Sequence, residues 1–272
     1  MSILRPLNGL IVFVSVIFGA FLASGSINLK VIVAGIVSLL LLSAGNAFND
    51  YRDVESDKIN KPSRPIPAEK INKRSALTFS IFLFIIGTGL GLLVNWIAFL
   101  VALVVSLILI LYASKLREFP LLANSTIGVL TGLTFIYGGI AVEKISGAVI
   151  PAVFALLFTS AREIVKDIQD VRGDQKTGIS SLATRLGNKK AAYISLVFFV
   201  LVIITSPIPY LLDYYSIYYL ICVVLGVDVV LIYCVTILLR QPSERVAGRI
   251  ASIMKFDIFA GLVAIYLGSL GL

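Results

Sequence analysis

The sequence predicts an all-α membrane protein of nine transmembrane helices: two related four-helix halves, then a ninth helix, with the N-terminus on the cytoplasmic side. Three observations carry that expectation. Apolar stretches long enough to span a bilayer recur along the whole chain, Lys and Arg collect on alternate loops, and an acidic pattern is repeated 117 residues apart. With 58% hydrophobic and 14% charged residues, the composition lies well outside the soluble range.

The spans fall at residues 7–24, 29–50, 75–94, 96–114, 120–142, 147–168, 188–207, 214–239 and 248–270. Each suits a helical crossing of a hydrocarbon core roughly 30 Å thick. Glycine and β-branched residues are frequent in them, but a lipid-facing backbone must satisfy its own hydrogen bonds, which leaves the helix as the available form. A barrel would instead show alternating segments of about ten residues, and none is present. The first span lacks an A-x-A-like cleavage site and is followed by further spans, so it is expected to stay in the mature chain. No room is left for a separate soluble domain, and residues 1–272 read as one intramembrane domain.

Orientation follows from the basic residues. Arg5, seven residues between 52 and 74, Lys115 and Arg117, seven between 162 and 190, and Arg240, Arg245 and Arg249 share one side, which the positive-inside rule makes cytoplasmic. Of the 23 Lys and Arg, this leaves Lys30 and Lys144 opposite and Lys255 within the last span. The net charge of +8 is therefore a signal of orientation and anionic lipid, with nucleic acid a poor reading. Cys222 and Cys234 fall in one span and the chain contains no histidine, so zinc, haem and a disulfide are not expected.

Asp50, Asp53 and Asp57 recur as Asp167, Asp170 and Asp174, giving DxxDxxxD twice. Both copies close an even-numbered span, the second and the sixth, and open a long basic loop. Positions i, i+3 and i+7 share one helical face, so each copy is expected to present a stripe of carboxylates at a helix end. Like charges on a stripe repel. A hard divalent cation such as Mg²⁺ between the stripes, taking carboxylate and phosphate oxygens, makes them favourable. One DxxxD reads as a solvated loop end; two at equivalent positions, each beside Lys and Arg, favour the metal. Asn46 and Asn49 extend the first stripe one turn deeper with neutral oxygen ligands. Metal-bound carboxylates ringed by cations at an interface fit a substrate with a diphosphate head and a lipid tail. Neutralising the diphosphate would let an allylic C–O bond ionise.

NDYRDVESDKINKPSRPIP, from Asn49, resembles the first aspartate-rich motif of the UbiA superfamily of intramembrane prenyltransferases, and KDIQDVRGDQKTGISSLATRLG, from Lys166, resembles the second. The resemblance covers nearly the whole chain and implies nine helices with both motifs facing the cytoplasm. It implies that Asn49, Asp53, Asp57, Asp170 and Asp174 bind Mg²⁺ and, through it, diphosphate, with Asp50, Asp167 and Asn46 on or near the same faces. Tyr112 and Lys115 look like the family's Tyr and Lys after the fourth span, Lys115 contacting phosphate. Arg64, between Pro62 and Pro65, is similar to the family's loop arginine. Arg5-Pro6-x-Asn8 resembles the family's approach to the first helix, where Asn8 would face the cavity. Glu69 departs from the pattern, since relatives commonly have Gly there.

The family's acceptors range from aromatic acids to glycerol-phosphate lipids, so the fold alone leaves the acceptor open. DIQDVRGD followed by GISSLATRLG looks most like the archaeal branch that prenylates a glycerol-phosphate lipid, with homogentisate-type enzymes second. Short length, the lack of a transit peptide and an Ile- and Lys-rich composition lean the same way. The expected reaction joins geranylgeranyl diphosphate to the sn-2 hydroxyl of geranylgeranylglyceryl phosphate. An aromatic acceptor of the homogentisate or 4-hydroxybenzoate class is the alternative. The acceptor's own phosphate needs a second cationic subsite, for which Lys58, Arg117, Arg162 and Lys166 are candidates. Without histidine, the hydroxyl proton goes to a carboxylate, a phosphate oxygen or water. The expected setting is the cell membrane, multi-pass, with a cytoplasmic active site and no obligate protein partner.

Polar residues inside spans are functional candidates by default. Asp228 in the eighth span and Lys255 in the ninth could pair, or Lys255 could snorkel. Asp257 faces elsewhere, and the aromatic cluster at 210–219 reads as an interfacial belt. Two other classes fit less well. A CDP-alcohol phosphotransferase needs DGxxAR before GxxxDxxxD, which is not found upstream of Asp50. A transporter of anionic lipids would use repeats and basic loops without needing two matching carboxylate stripes.

Overall fold

The computed structural model describes residues 5–270. Among them, nine helical segments are long and apolar enough to cross a membrane, and no strand occurs. The helices are α1 (Pro6–Ser24), α2 (Leu29–Arg52), α3 (Val54–Asn60), α4 (Lys73–Leu90), α5 (Trp96–Ser114), α6 (Pro120–Ala141), α7 (Val149–Thr177), α8 (Leu182–Leu186), α9 (Asn188–Thr205), α10 (Ile208–Leu211), α11 (Ile217–Val223), α12 (Val229–Arg240) and α13 (Glu244–Leu270). Residues Val224–Asp228 form a π turn joining α11 to α12 in one span. The starts are set by local chemistry. Pro6 and Pro120 open α1 and α6, where a missing N–H costs nothing. Asn28 and Asn95 cap α2 and α5 by accepting from Val31 N–H (3.1 Å) and Ala98 N–H (2.8 Å).

Several boundaries differ from the apolar pattern: the seventh span runs to Leu211 and the ninth starts at Glu244, and two further shifts have a clear local cause. The sixth span, expected to stop at 168, continues as α7 to Thr177, because Gln169, Arg172, Gln175 and Lys176 are good helix formers. Hydropathy marks where the membrane ends, whereas Gly178, at φ 71, marks where the helix ends. The eighth span begins at Ile217 rather than 214, after a turn in which Tyr214 N–H donates to Pro209 O.

The chain divides into two compact units. One takes the chain through Phe119 together with Val129–Ala152; the other takes Pro120–Gly128 and Val153 onward. In the first unit α2 is central, packed by α1, α4 and α5. Its core interleaves small residues, among them Ala34, Ala44, Ala98 and Ala102, with larger ones such as Leu41, Leu83 and Phe84, the small ones letting backbones approach. Short polar bonds tie the helices: Ser80 Oγ donates to Ala44 O (2.8 Å), Thr88 and Ser106 hydroxyls meet at 2.9 Å, and Asn95 Nδ2 donates to Ile140 O (2.9 Å). The closest approach is between α1 and α6, where a Cβ on Gly138 would lie 1.9 Å from Val16 O.

In the second unit α11 packs on α13 and α9 on α12. Asn188 Nδ2 donates to Pro242 O (3.1 Å). The aromatic cluster at 210–219 is only partly a belt. Tyr214 and Tyr218 are exposed, whereas Tyr215 and Tyr219 are buried with ring centroids 4.9 Å apart. The Tyr219 hydroxyl donates to Ser206 O (2.7 Å), so its polar end is satisfied inside the unit.

Gly138→Ala is expected to destabilise the protein by at least about 2 kcal/mol through overpacking against α1. Gly89→Ala, at a site with nothing within 4 Å of an added Cβ, should be neutral or slightly stabilising. Thermal unfolding of both variants in detergent checks the contrast.

Candidate active site

The first aspartate motif sits where α2 gives way to α3. Asp53 leaves helical geometry (φ −94°, ψ 11°), yet its N–H bonds Asn49 O and its own carbonyl accepts from Asp57 N–H, both at 2.8 Å. Asp50 therefore ends α2 and Asp57 rides on the separate short helix α3. The expected continuous stripe is broken at Asp53, because the chain turns there to bring the Arg64 loop back over α2.

Each carboxylate of this motif meets a guanidinium. Arg64 Nη1 reaches Asp57 Oδ2 at 2.5 Å and Asp50 Oδ1 at 3.1 Å. Arg5 donates to Asn46 Oδ1 (2.9 Å) and to Asp50 Oδ1 (2.5 Å). Arg117, in a 3₁₀ turn (Leu116–Glu118), donates to Asp53 Oδ1, and its guanidinium lies 6.0 Å from the centre of the Tyr112 ring. Asp50 is 2% exposed and Asp57 4%, so these are partly desolvated charges that need their partners. Burial pushes the Asp57 carboxyl above the usual range, opposed by Arg64 beside it. Arg5 is lowered, first by burial and then by the like charge of Arg64.

Arg64 is positioned by its loop. The turn is closed by Arg64 N–H to Lys61 O (3.0 Å) and Ala68 N–H to Arg64 O (2.9 Å), with prolines on either side to stiffen it. Just beyond, Glu69 adopts φ 57, a left-handed conformation that glycine takes without cost. Lys58 lies on the exposed side of α3, paired with Glu55 (2.9 Å), and exposed Lys115 ends α5. Asn8 is half-buried in the first turn of α1, its N–H donating to Arg5 O.

Two buried atoms here lack a hydrogen-bond partner: Asn49 Oδ1 and Asn46 Nδ2. An unpaired buried acceptor is costly and is the kind of ligand a hard cation takes. The carboxylates on either side keep lone pairs beyond those the arginines use. Asn49, Asp53 and Asp57 thus fit a divalent metal. Among the described residues no group of three Asp, Glu or Cys side chains is gathered to hold a metal alone. Mg²⁺ ordinarily binds through one or two carboxylates plus substrate phosphate.

The second motif lies in the other unit, and there all three aspartates ride one continuous helix, α7. Asp174 is buried and Asp170 half-buried. Asp167 Oδ2 accepts from Asn124 Nδ2 (2.9 Å) and from Leu182 N–H (3.1 Å), which fastens the start of α8 to α7. Ser181 caps α8 with a reciprocal Thr184 bond. Arg162 Nε donates to Ala251 O (3.2 Å), and Lys166 clasps Glu163 at 2.7 Å.

Three residues matter that the motif pattern does not reveal: Arg5, Asn124 and Glu163. Arg5 and Asp50 are 45 residues apart, and nothing in the spacing joins them. Glu163 and Lys166 stand at i and i+3, a helical pairing that was readable.

The UbiA prenyltransferase family model matches residues 12–256. The chain belongs to the UbiA prenyltransferase family. A digeranylgeranylglyceryl phosphate synthase from Thermococcus gammatolerans is 39% identical, the match covering 99% of this chain and 97% of the relative. Its namesake from Methanocaldococcus jannaschii is 37% identical, over 90% of this chain and 86% of the relative. A structure solved for digeranylgeranylglyceryl phosphate synthase in membranes shares 36% identity and superposes with a TM-score of 0.77 over all of both chains. A UbiA homolog from Archaeoglobus fulgidus, bound to GPP and Mg²⁺, has the same fold at 17% identity, with a TM-score of 0.71 over 97% of this chain and 98% of that one. This UbiA member is thus a multi-pass membrane protein of the prenyltransferase class.

Arg5→Met should cost up to about 3 kcal/mol by leaving buried Asp50 with Arg64 and without its shorter ion pair, and adding Asp50→Asn should recover part of it. Denaturation of the two single variants and the double variant measures the coupling. Glu69→Gly should raise stability by up to about 1 kcal/mol on relief of the left-handed backbone, read by the same assay.

Proposed function

We propose that this chain transfers a geranylgeranyl group from geranylgeranyl diphosphate to the sn-2 hydroxyl of geranylgeranylglyceryl phosphate, making an archaeal diether lipid phosphate. The observation that carries this reading is near-full-length identity of 36–39% to relatives and a solved structure bearing that enzyme name, with both aspartate motifs intact. We place the active site on the cytoplasmic side, where the basic residues collect, and treat 1–272 as one functional domain.

Asn49, Asp53 and Asp57 from the first motif and Asp170 and Asp174 from the second hold divalent metal, with Asp50 and Asp167 supporting them. Bound Mg²⁺ supplies charge neutralisation that stabilises diphosphate as a leaving group. Arg64, Arg117 and Lys115 would add cationic donors for the phosphate oxygens, Arg64 and Arg117 being placed to donate to phosphate if Asp57 and Asp53 held metal. Tyr112 stays against Arg117 and orients it. The bond from C1 to the diphosphate oxygen breaks, and the acceptor's sn-2 oxygen forms the new C–O bond. Its proton leaves to a phosphate oxygen, a carboxylate or water. Arg162 and Lys166, gathered around Glu163, are the basic pair we assign to the acceptor's phosphate, with exposed Lys58 a further cation. Asn8 and Asn46 line the cavity that the lipid enters.

Purified protein given labelled geranylgeranyl diphosphate with geranylgeranylglyceryl phosphate, homogentisate or 4-hydroxybenzoate in parallel should label only the first. A labelled aromatic product would instead place the chain in the aromatic-acceptor branch, and no ether product at all would favour transport. Asp53→Ala and Asp174→Ala should each lower turnover by at least about 100-fold, of the order seen when a transition-state stabilising group is removed. EDTA should stop the reaction and added Mg²⁺ restore it.

A further inference from the structure

The second unit holds two acidic residues that the transfer reaction does not use. Asp228 closes the π turn of the eighth span and Asp257 lies in α13; they are 5% and 6% exposed. Asp228 is twelve residues from the end of α12 at Arg240, and Asp257 thirteen from the start of α13 at Glu244. At 1.5 Å per residue each lies roughly 18–20 Å along its helix, deep in a hydrocarbon core roughly 30 Å thick.

The two helices share a fixed antiparallel register. A Cβ on Gly226 would sit 3.7 Å from Ala260 Cβ, one on Gly261 would sit 4.0 Å from Val227 Cγ2, and Ser216 N–H donates to Gly268 O (3.1 Å). That register sets residue 228 level with 257. The Ser206 hydroxyl, itself 1% exposed, donates to Asp228 Oδ2 at 2.7 Å. Asp228 Oδ1 and Asp257 Oδ2 are buried with no hydrogen-bond partner.

Two ionised carboxylates at one level of a hydrocarbon core would repel each other and forgo hydration. A hard cation would ask for about six oxygens. Two acceptors without a partner on facing acids ask for one hydrogen. We propose that Asp257 is protonated and donates that hydrogen to Asp228 Oδ1, so that Asp228, Asp257 and Ser206 hold one proton in mid-membrane and clamp the π turn to α13. Asp228 keeps the charge because the single Ser206 hydroxyl hydrogen, with Ile203 O at 3.0 Å and Asp228 Oδ2 at 2.7 Å, goes to the nearer, charged acceptor. A π turn weakens the regular backbone ladder, and the shared proton bridges that point to the neighbouring helix. Of the other titratable groups on the packed helices, Cys234 feels the Asp257 charge and Tyr219 that of Asp228, and both are weak acids that bring no positive charge to the pair. Lys255 is two residues from Asp257 and so about 200° round α13. Cys234 lies on α12 within electrostatic reach of Asp257, the Tyr219 hydroxyl is spent on Ser206 O, and the Tyr215 ring packs against Tyr219. Lys189, Lys190, Arg240, Glu244, Arg245 and Arg249 are at the helix ends.

Infrared spectroscopy of the full-length protein in detergent tests this directly. The wild type at neutral pH should show a protonated-carboxyl carbonyl band that shifts in D₂O, and Asp257→Asn should lose that band while remaining folded. The folded pair holds a proton that an unfolded aspartate releases, so wild-type thermal stability should fall as pH rises through the pair's titration, and Asp257→Asn should flatten the fall. Absence of the band in the wild type, its undiminished persistence in Asp257→Asn, or a melting temperature that rises with Na⁺ or K⁺ instead would each overturn the proposal. Absence of the wild-type band overturns the proposal even if Asp257→Asn does not fold, and Asp57→Asn and Asp167→Asn, which should keep the band, assign it to the pair.

Discussion

Carboxylates beside a membrane are tolerated only when something opposes their charge, and that constraint shapes the end of the first unit that carries the first aspartate motif. Asp50 and Asp57 are almost fully buried, and Asp53 is held close behind them. Arg5, Arg64 and Arg117 reach them from three separate stretches of chain: the residue before α1, the proline-stiffened loop after α3, and the turn after α5. The apolar helices supply the scaffold, but these ion pairs fix where the three stretches meet. Breaking one partner of a buried pair leaves a charge the surroundings cannot solvate.

That arrangement also suits the proposed chemistry. Arginine is always charged and offers a planar fork matched equally to carboxylate and to phosphate. A guanidinium resting on an aspartate is already positioned, so handing the carboxylate to a metal and taking up phosphate oxygen requires a short side-chain movement. Asn49 Oδ1, buried and unpartnered, marks where a cation's ligand set would begin.

Most of the fold was legible because hydropathy and helical form coincide in a bilayer, where no other spanning structure satisfies the backbone. The pattern failed where that coincidence ends. α7 runs on past its apolar part to Thr177, and the expected stripe of Asp50, Asp53 and Asp57 is split between α2 and α3. The aspartates proposed as ligands were picked out by a repeated motif, since carboxylates at helical spacing beside basic residues have a specific chemistry. Their ion-pair partners were not. Arg5 with Asp50 and Arg117 with Asp53 join residues 45 and 64 apart, and Asn124 with Asp167 joins residues 43 apart. Such pairings come from helix packing, and a single sequence does not record them. Inward-facing Tyr215 and Tyr219 were hidden for a similar reason, because an aromatic run shows composition but not which face is buried.

The central claim is that the first motif's carboxylates bind diphosphate through metal, rather than merely serving as counter-ions for arginine. Calorimetric titration of the full-length protein with inorganic diphosphate, with and without Mg²⁺, separates the two. The account predicts strong binding only with Mg²⁺, and its loss in Asp53→Asn. Equal binding without metal, or binding undiminished in that variant, would contradict it.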